Sequence, residues 1–132
     1  MTDLAALIDA AREVRHCAYV PYSNFRVGAA VLARDGRIFI GCNVENASYG
    51  LCNCAERSAF FSAISAGIKR GDLTHIAVIA DCPAPVSPCG ACRQVMIELG
   101  GPQLVVILTN LQGQVAQSTA AELLPGAFTL ES

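Results

Sequence analysis

The chain has 132 residues, of which 53% are hydrophobic and only 15% charged, with a formal net charge of −2. At roughly 100 to 200 residues per domain this length predicts a single domain over residues 1–132. A charged share well below the usual one of about 25% excludes disorder and predicts that part of the outer surface is buried in an oligomer. No apolar run exceeds strand-sized stretches such as 76–80 and 104–108, which excludes a membrane-spanning helix of roughly 18 residues. Nine basic side chains against eleven acidic ones argue against a partner with a phosphate backbone, so the expected partner is a small molecule and not a nucleic acid.

Residues 3–18 place Leu4, Leu7, Ile8, Ala11, Val14 and Ala18 at spacings of three and four, with Thr2 or Asp3 as N-cap, which predicts an amphipathic helix. Asp3 and Asp9 interrupt this stretch where a secretory leader would be basic and then apolar, and the expectation is a cytoplasmic protein. Pro21, Ser23 and Asn24 mark a loop. Residues 26–34 and 37–44 then flank Asp35-Gly36, a strong hairpin signature, and predict two antiparallel strands. Residues 54–66, stopped at Gly67, predict a helix, and the β-branched run 75–80 a strand. Pro83, Pro85 and Pro88 stiffen a loop before helical spacing over 89–99, which ends at Gly100-Gly101; residues 103–109 form a continuously apolar strand. A turn at Gly113 leads to a weaker strand at 114–117, and Thr119 with Glu122 predicts a capping box for a short helix ended by Pro125. The order α, β, β, α, β, α, β, β, α, with strands apolar on both faces, predicts an α/β fold: a three-layer α/β/α sandwich with a five-stranded mixed sheet.

Seven cysteines is the unusual count. An odd number with no export leader argues for free thiols, metal ligands or a catalytic thiolate over a disulfide framework. Pro88-Cys89-Gly90-Ala91-Cys92 opens a predicted helix, so both sulfurs share one face and the free N–H groups of the first turn favour thiolate. Zinc binding, dithiol redox chemistry and plain burial all use a CxxC, and the spacing alone does not choose among them. Cys52-Asn53-Cys54-Ala55-Glu56-Arg57 also opens a helix. Were the two helix starts to meet, Cys54, Cys89 and Cys92 would give zinc three sulfurs and leave a fourth position for water, with Glu56 near enough to act as general base and then general acid. A purely structural site with Cys52 as fourth ligand fits the same spacing. Three thiolates around one Zn²⁺ sum to −1, so a nearby cation is expected to offset them; Arg57 and Arg93 are the available ones, and Arg57, directly after Glu56, is the one favoured. Cys17, Cys42, Cys52 and Cys82 read as buried free thiols. His16 and His75 have no metal spacing to the cysteines.

The pattern CxE followed by PCxxC resembles the small zinc-dependent cytidine deaminases. The likeness runs over nearly the whole chain, through Pro21-Tyr22-Ser23-Asn24-Phe25, Val27-Gly28-Ala29-Ala30, Asn43-Val44-Glu45-Asn46 and Pro125-Gly126-Ala127-Phe128. It implies hydrolysis of cytidine and 2′-deoxycytidine to uridine and 2′-deoxyuridine with release of ammonia, in pyrimidine salvage. One Zn²⁺ per subunit would be held by Cys54, Cys89 and Cys92, with Glu56 carrying protons to ring nitrogen 3 and to the departing amine. By the same likeness Asn43 and Glu45 hold the ribose 3′-hydroxyl, Phe25 packs near the base, and the Ala55 backbone meets the ring carbonyl. Arg57 follows the catalytic glutamate as the family's arginine does. Phe128 and Tyr49 resemble residues that act across an interface, in a homotetramer whose active sites are shared between subunits. Read from residue type alone, Glu45 serves equally as a loop cap, and Phe25, Tyr49 and Phe128 as core or interface residues. Deamination of a nucleotide or polynucleotide, a zinc-stabilised interaction module and a redox protein are the competing readings.

Overall fold

The computed structural model describes residues 4–130. Its elements run α1 (Leu4–Arg15), β1 (Val27–Ala33), β2 (Ile38–Cys42), a 3₁₀ turn at Tyr49–Leu51, α2 (Ala55–Ser65), β3 (Leu73–Ala80), α3 (Gly90–Val95), β4 (Val105–Asn110), β5 (Val115–Thr119) and α4 (Ala120–Leu123). The five strands lie in the order β2-β1-β3-β4-β5. Only β3 and β4 are parallel; the other neighbours are antiparallel, so the sheet is mixed. The β1–β2 hairpin closes at Asp35-Gly36, where Gly36 takes a φ of +95° that a side chain would disfavour. The parallel pair needs a crossover, and the segment carrying α3 supplies it.

Alternation along the strands sorts the core into two faces. Val27, Ala29, Val31, Ile76, Val78 and Val106 pack on Ala59, Phe60 and Ala63 of α2 and on Met96 beyond α3. Ala30, Ala77, Ile79 and Ile107 point the other way, onto Leu7 and Ala11 of α1. The sheet is therefore covered on both sides, which is the three-layer arrangement its apolar strands require. No helix among the described residues is long and apolar enough to cross a membrane.

Element ends differ from the sequence reading for identifiable reasons. Helix α1 stops at Arg15 and not at residue 18, because the Arg26 guanidinium donates to the carbonyls of His16 and Ala18 at 3.1 and 2.7 Å and turns the chain out of the helix. The expected N-caps Thr2 and Asp3 lie outside the described residues. Strand β2 ends at Cys42 and not at residue 44: the Asn43 side chain takes the Val27 N–H at 2.9 Å, and Val44 pairs instead with Tyr19 and Asn53. After α3 the chain widens into a π-helical turn over Met96–Gly100, closed by Gly101 at φ +88°. The 3₁₀ turn had no periodicity to announce it. The capping box is present, with Glu122 N–H donating to Thr119 Oγ1 at 3.2 Å and Thr119 N–H to the Glu122 carboxylate at 2.9 Å.

The expectation of buried thiols at Cys17, Cys42, Cys52 and Cys82 is corrected. All four are free, but Cys17 is exposed and the other three are half-buried. Each sits where an element ends or a loop begins, and that position outweighs the preference of cysteine for the interior.

Two glycines set how closely the helices lie on the sheet. A Cβ on Gly28 would stand 2.0 Å from the Ala11 carbonyl oxygen of α1, and one on Gly41 would stand 2.3 Å from the Ala59 nitrogen of α2. These neighbours are backbone atoms inside helices and do not yield. Gly41→Ala is expected to lower unfolding stability by about 3 kcal/mol, measured by denaturant titration, and to loosen the N-terminus of α2 with it; unchanged stability would contradict this packing.

Candidate metal centre and its cleft

Helices α2 and α3 cover the same face of the sheet, and their starts converge. Cys54 is the N-cap of α2 and Cys89 the N-cap of α3; both have extended backbone, and neither uses its sulfur to cap its own helix. Cys92 follows in the first turn of α3 and is buried. The three Sγ atoms lie within 4.8 Å of one another, with Cys54 and Cys89 3.8 Å apart. Tetrahedral zinc with Zn–S bonds of about 2.3 Å holds its sulfurs about 3.8 Å apart, so this donor set fits the ion. Cys52 is not part of the group. Its sulfur accepts from Asn46 N–H at 3.3 Å and faces the Asn46 carbonyl at 3.6 Å, which removes the reading of a site closed by four cysteines.

The electrostatics are those of a cation site. Hydrogen bonding from the Cys92 thiol, helped by Arg57, holds the Cys54 thiol well below its ordinary range, at about 5. The same shared proton, together with burial, pushes Cys92 up. A divalent cation takes the place of that proton, because thiolates and not thiols are its ligands. Glu56 is 5% exposed, and burial raises its carboxyl, with the neighbouring Cys54 charge adding to the effect. Arg57 Nη2 donates to Cys54 Sγ at 3.2 Å, while its buried Nε has no partner among the described residues. Arg93 is committed elsewhere: Nε to the Pro88 carbonyl at 2.9 Å, Nη1 to the Leu123 carbonyl at 2.8 Å and Nη2 to Ser87 Oγ at 2.8 Å. Of the two candidate cations, Arg57 is the one on the sulfurs.

A cleft of about 590 Å³ opens beside Cys54 and Arg57, walled by Tyr22, Ser23, Asn43, Glu45 and Tyr49 among others. Asn43 Nδ2 donates to the Phe25 carbonyl at 2.8 Å, and its Oδ1 accepts from Val27. Glu45 Oε1 accepts from the N–H groups of Tyr22 at 3.0 Å and Ser23 at 3.2 Å, and its Oε2 accepts from Ser23 Oγ. Glu45 is therefore a loop cap as well as a cleft residue, and the Ser23 hydroxyl holds its carboxyl below the usual range. Tyr49 stands edge-on to Tyr22, ring centres 6.4 Å apart. Ala55 is fully buried as the first residue of α2, and Phe25 is partly exposed. Phe128 is 66% exposed, its carbonyl accepting from Gln94 Nε2 at 2.9 Å. Ser23, which lay inside the Pro21-to-Phe25 motif without a role assigned to it, lines the cleft, and Cys52, weighed as a fourth ligand, lines it too with its sulfur turned onto Asn46.

A mixed α/β sandwich that brings three sulfurs and a buried carboxyl to two helix N-termini, with no fourth protein ligand among the described residues, defines the class of metal-dependent α/β enzyme domains. Residues 1–109 match the family described as the cytidine and deoxycytidylate deaminase zinc-binding region, and the chain belongs to that family. It is 57% identical over 129 residues to a cytidine deaminase of Halalkalibacterium halodurans, covering 98% of this chain and 96% of that one. A cytidine deaminase of Sporosarcina psychrophila is 53% identical over 129 residues, 98% and 93% of the two chains. The crystal structure of cytidine deaminase from Burkholderia pseudomallei superposes with a TM-score of 0.95 at 60% identity, over 96% of this chain and 100% of that one.

Zinc is held by thiolates, which protons displace as pH falls, so bound metal should be released toward acid pH. Arg57 stabilises the Cys54 thiolate, and removing the guanidinium makes that sulfur easier to protonate. Arg57→Ala is therefore expected to fold, to release zinc at higher pH, and to lose about tenfold in retention against a chelator, the worth of one hydrogen bond to a charged group. Metal analysis across a pH series checks this; an unshifted release curve would contradict it.

Proposed function

We infer that this chain hydrolyses cytidine and 2′-deoxycytidine to uridine and 2′-deoxyuridine with release of ammonia, as a single zinc-dependent domain over residues 1–132. The observation that carries this reading is the meeting of Cys54, Cys89 and Cys92 within 4.8 Å next to the buried Glu56. Held by those sulfurs, zinc supplies the Lewis acidity that hydrolytic loss of an amine requires.

The remaining work falls to the chain's own residues. Glu56, its carboxyl raised by burial, takes a proton from the attacking water and passes it to ring nitrogen 3, then takes the second proton from the oxygen added at carbon 4 and passes it to the departing amine. Arg57 offsets the excess charge of three thiolates, so that Zn²⁺, sulfurs and guanidinium together sum to zero. Asn43 and Glu45 hold the ribose 3′-hydroxyl, the Ala55 backbone the ring carbonyl, and Phe25 the face of the base. A free nucleoside fits better than a nucleotide: the cleft's cation, Arg57, is bonded to Cys54, and Glu45 would repel a phosphate. Tyr49, Leu51, Phe61, Ile64 and Phe128 leave apolar area exposed, which supports a homotetramer with Phe128 and Tyr49 serving a neighbouring subunit's site. The setting is pyrimidine salvage in the cytoplasm.

Turnover of cytidine followed by absorbance and ammonia release is expected to stop with a zinc chelator and to return with Zn²⁺. Glu56→Ala is expected to keep its zinc and lose about 10³-fold or more in kcat, within the range general acid–base catalysis provides. Wild-type turnover in that variant, or turnover without metal, overturns the reading. Light scattering is expected to give the mass of four chains, and Phe128→Ala to lower kcat/KM by about tenfold, the loss of one buried aromatic contact; a monomer of full activity would remove the shared-site arrangement.

A further inference from the structure

We propose that Ser23 is a positioning residue, coupling the sugar-side carboxylate Glu45 to the base-side aromatic Phe25 through its hydroxyl. This rests on the assignment of Glu45 to the sugar. A hydroxyl offers one proton and two lone pairs. The Ser23 proton goes to Glu45 Oε2, and Ser23 Oγ in turn accepts from the Phe25 N–H at 3.0 Å. One side chain thus links the two groups that face opposite ends of a nucleoside.

The surrounding chain is built around this link. Asn24 takes a φ of +57°, uncommon for a residue with a side chain, and that reversal brings the Phe25 N–H back onto Ser23. The Phe25 carbonyl is held from the other side by Asn43 Nδ2 at 2.8 Å. Asn43 and Glu45, two positions apart as the chain leaves β2, therefore clamp the 22–25 loop at both of its ends. A carboxylate accepts about four hydrogen bonds. The loop fills three of those of Glu45, from Tyr22 N–H, Ser23 N–H and Ser23 Oγ. One acceptor position is left for a sugar hydroxyl. Without the Ser23 hydroxyl the Oε2 atom loses its partner and the carboxylate its fixed orientation, while the Phe25 N–H is left unpaired. Both halves of the substrate then bind less well, although nothing at the sulfurs or at Glu56 has changed. Ser23 itself lies on the cleft wall, so the substrate meets the link directly.

The experiment compares cytidine with 3′-deoxycytidine in wild type, Ser23→Ala, Ser23→Thr and Glu45→Gln, with zinc content and thermal melting measured alongside. Ser23→Ala is expected to raise KM for cytidine about tenfold, the loss of one hydrogen bond to a charged group. Its kcat should stay within about twofold, its zinc content should be that of wild type, and the preference for cytidine over 3′-deoxycytidine should collapse. Ser23→Thr, which keeps the hydroxyl, restores KM and the preference. Wild-type KM and preference in Ser23→Ala, or a loss confined to kcat or to melting temperature, overturns the proposal. If Ser23→Ala does not fold, Ser23→Cys fills the same space with a weaker donor and gives the same pattern at smaller size; wild-type kinetics in it count equally against the proposal. If Glu45→Gln loses the preference while Ser23→Ala keeps it, the coupling fails and the sugar assignment stands. If Glu45→Gln keeps the preference, the sugar assignment fails and takes the coupling with it.

Discussion

Three sulfurs crowded within 4.8 Å cannot all carry charge without a cation among them. At an effective dielectric near 20, two unit charges about 4 Å apart repel by about 4 kcal/mol, and three such pairs would drive the helix starts apart. Left to themselves, the thiols settle this by sharing a proton between Cys54 and Cys92, which is why one is acidified and the other resists ionisation. Zinc relieves the repulsion more fully, and Arg57 removes the remaining negative charge from the side of Cys54. Metal affinity, protonation state and helix placement are thus one electrostatic problem with one solution.

That solution depends on where the helices lie. Gly41 lets α2 settle on β2 at backbone contact, and Gly28 does the same for α1 on the opposite face. The closeness is what brings Cys54 to the edge of the sheet where α3 also begins. Arg93 ties the loop before α3 to α4 through Pro88, Ser87 and Leu123, so the second pair of sulfurs is anchored from behind. The two arginines that follow Glu56 and Cys92 in the chain therefore divide the work: Arg57 neutralises and Arg93 holds the frame.

The cleft shows the same economy. Asn43 ends strand β2 by offering its side chain to Val27 in place of a ladder bond, and the same amide holds Phe25. Glu45 is at once a cap for the 22–25 loop and a wall of the cleft. Groups that build the loop are also groups that wall the cleft, so the cleft's surface is held in place by hydrogen bonds within the chain itself.

The sequence alone determined the order of the main helices and strands and the fold class, because these follow from short-range regularities: apolar alternation, Asp35-Gly36 and the Thr119–Glu122 box. The cysteines that open two helices marked candidate metal ligands without choosing among them. It also favoured Arg57 over Arg93 as the compensating cation. What it left open depended on contacts between distant segments. Only the tertiary structure turned Cys52 away onto Asn46, gave Arg57 to the sulfurs and Arg93 to the frame, and ended α1 at Arg15 through a side chain eleven residues on. Exposure of Cys17 and the double use of Glu45 belong to the same group, since burial and hydrogen-bond partners are properties of what the fold brings alongside a residue and not of the residue itself.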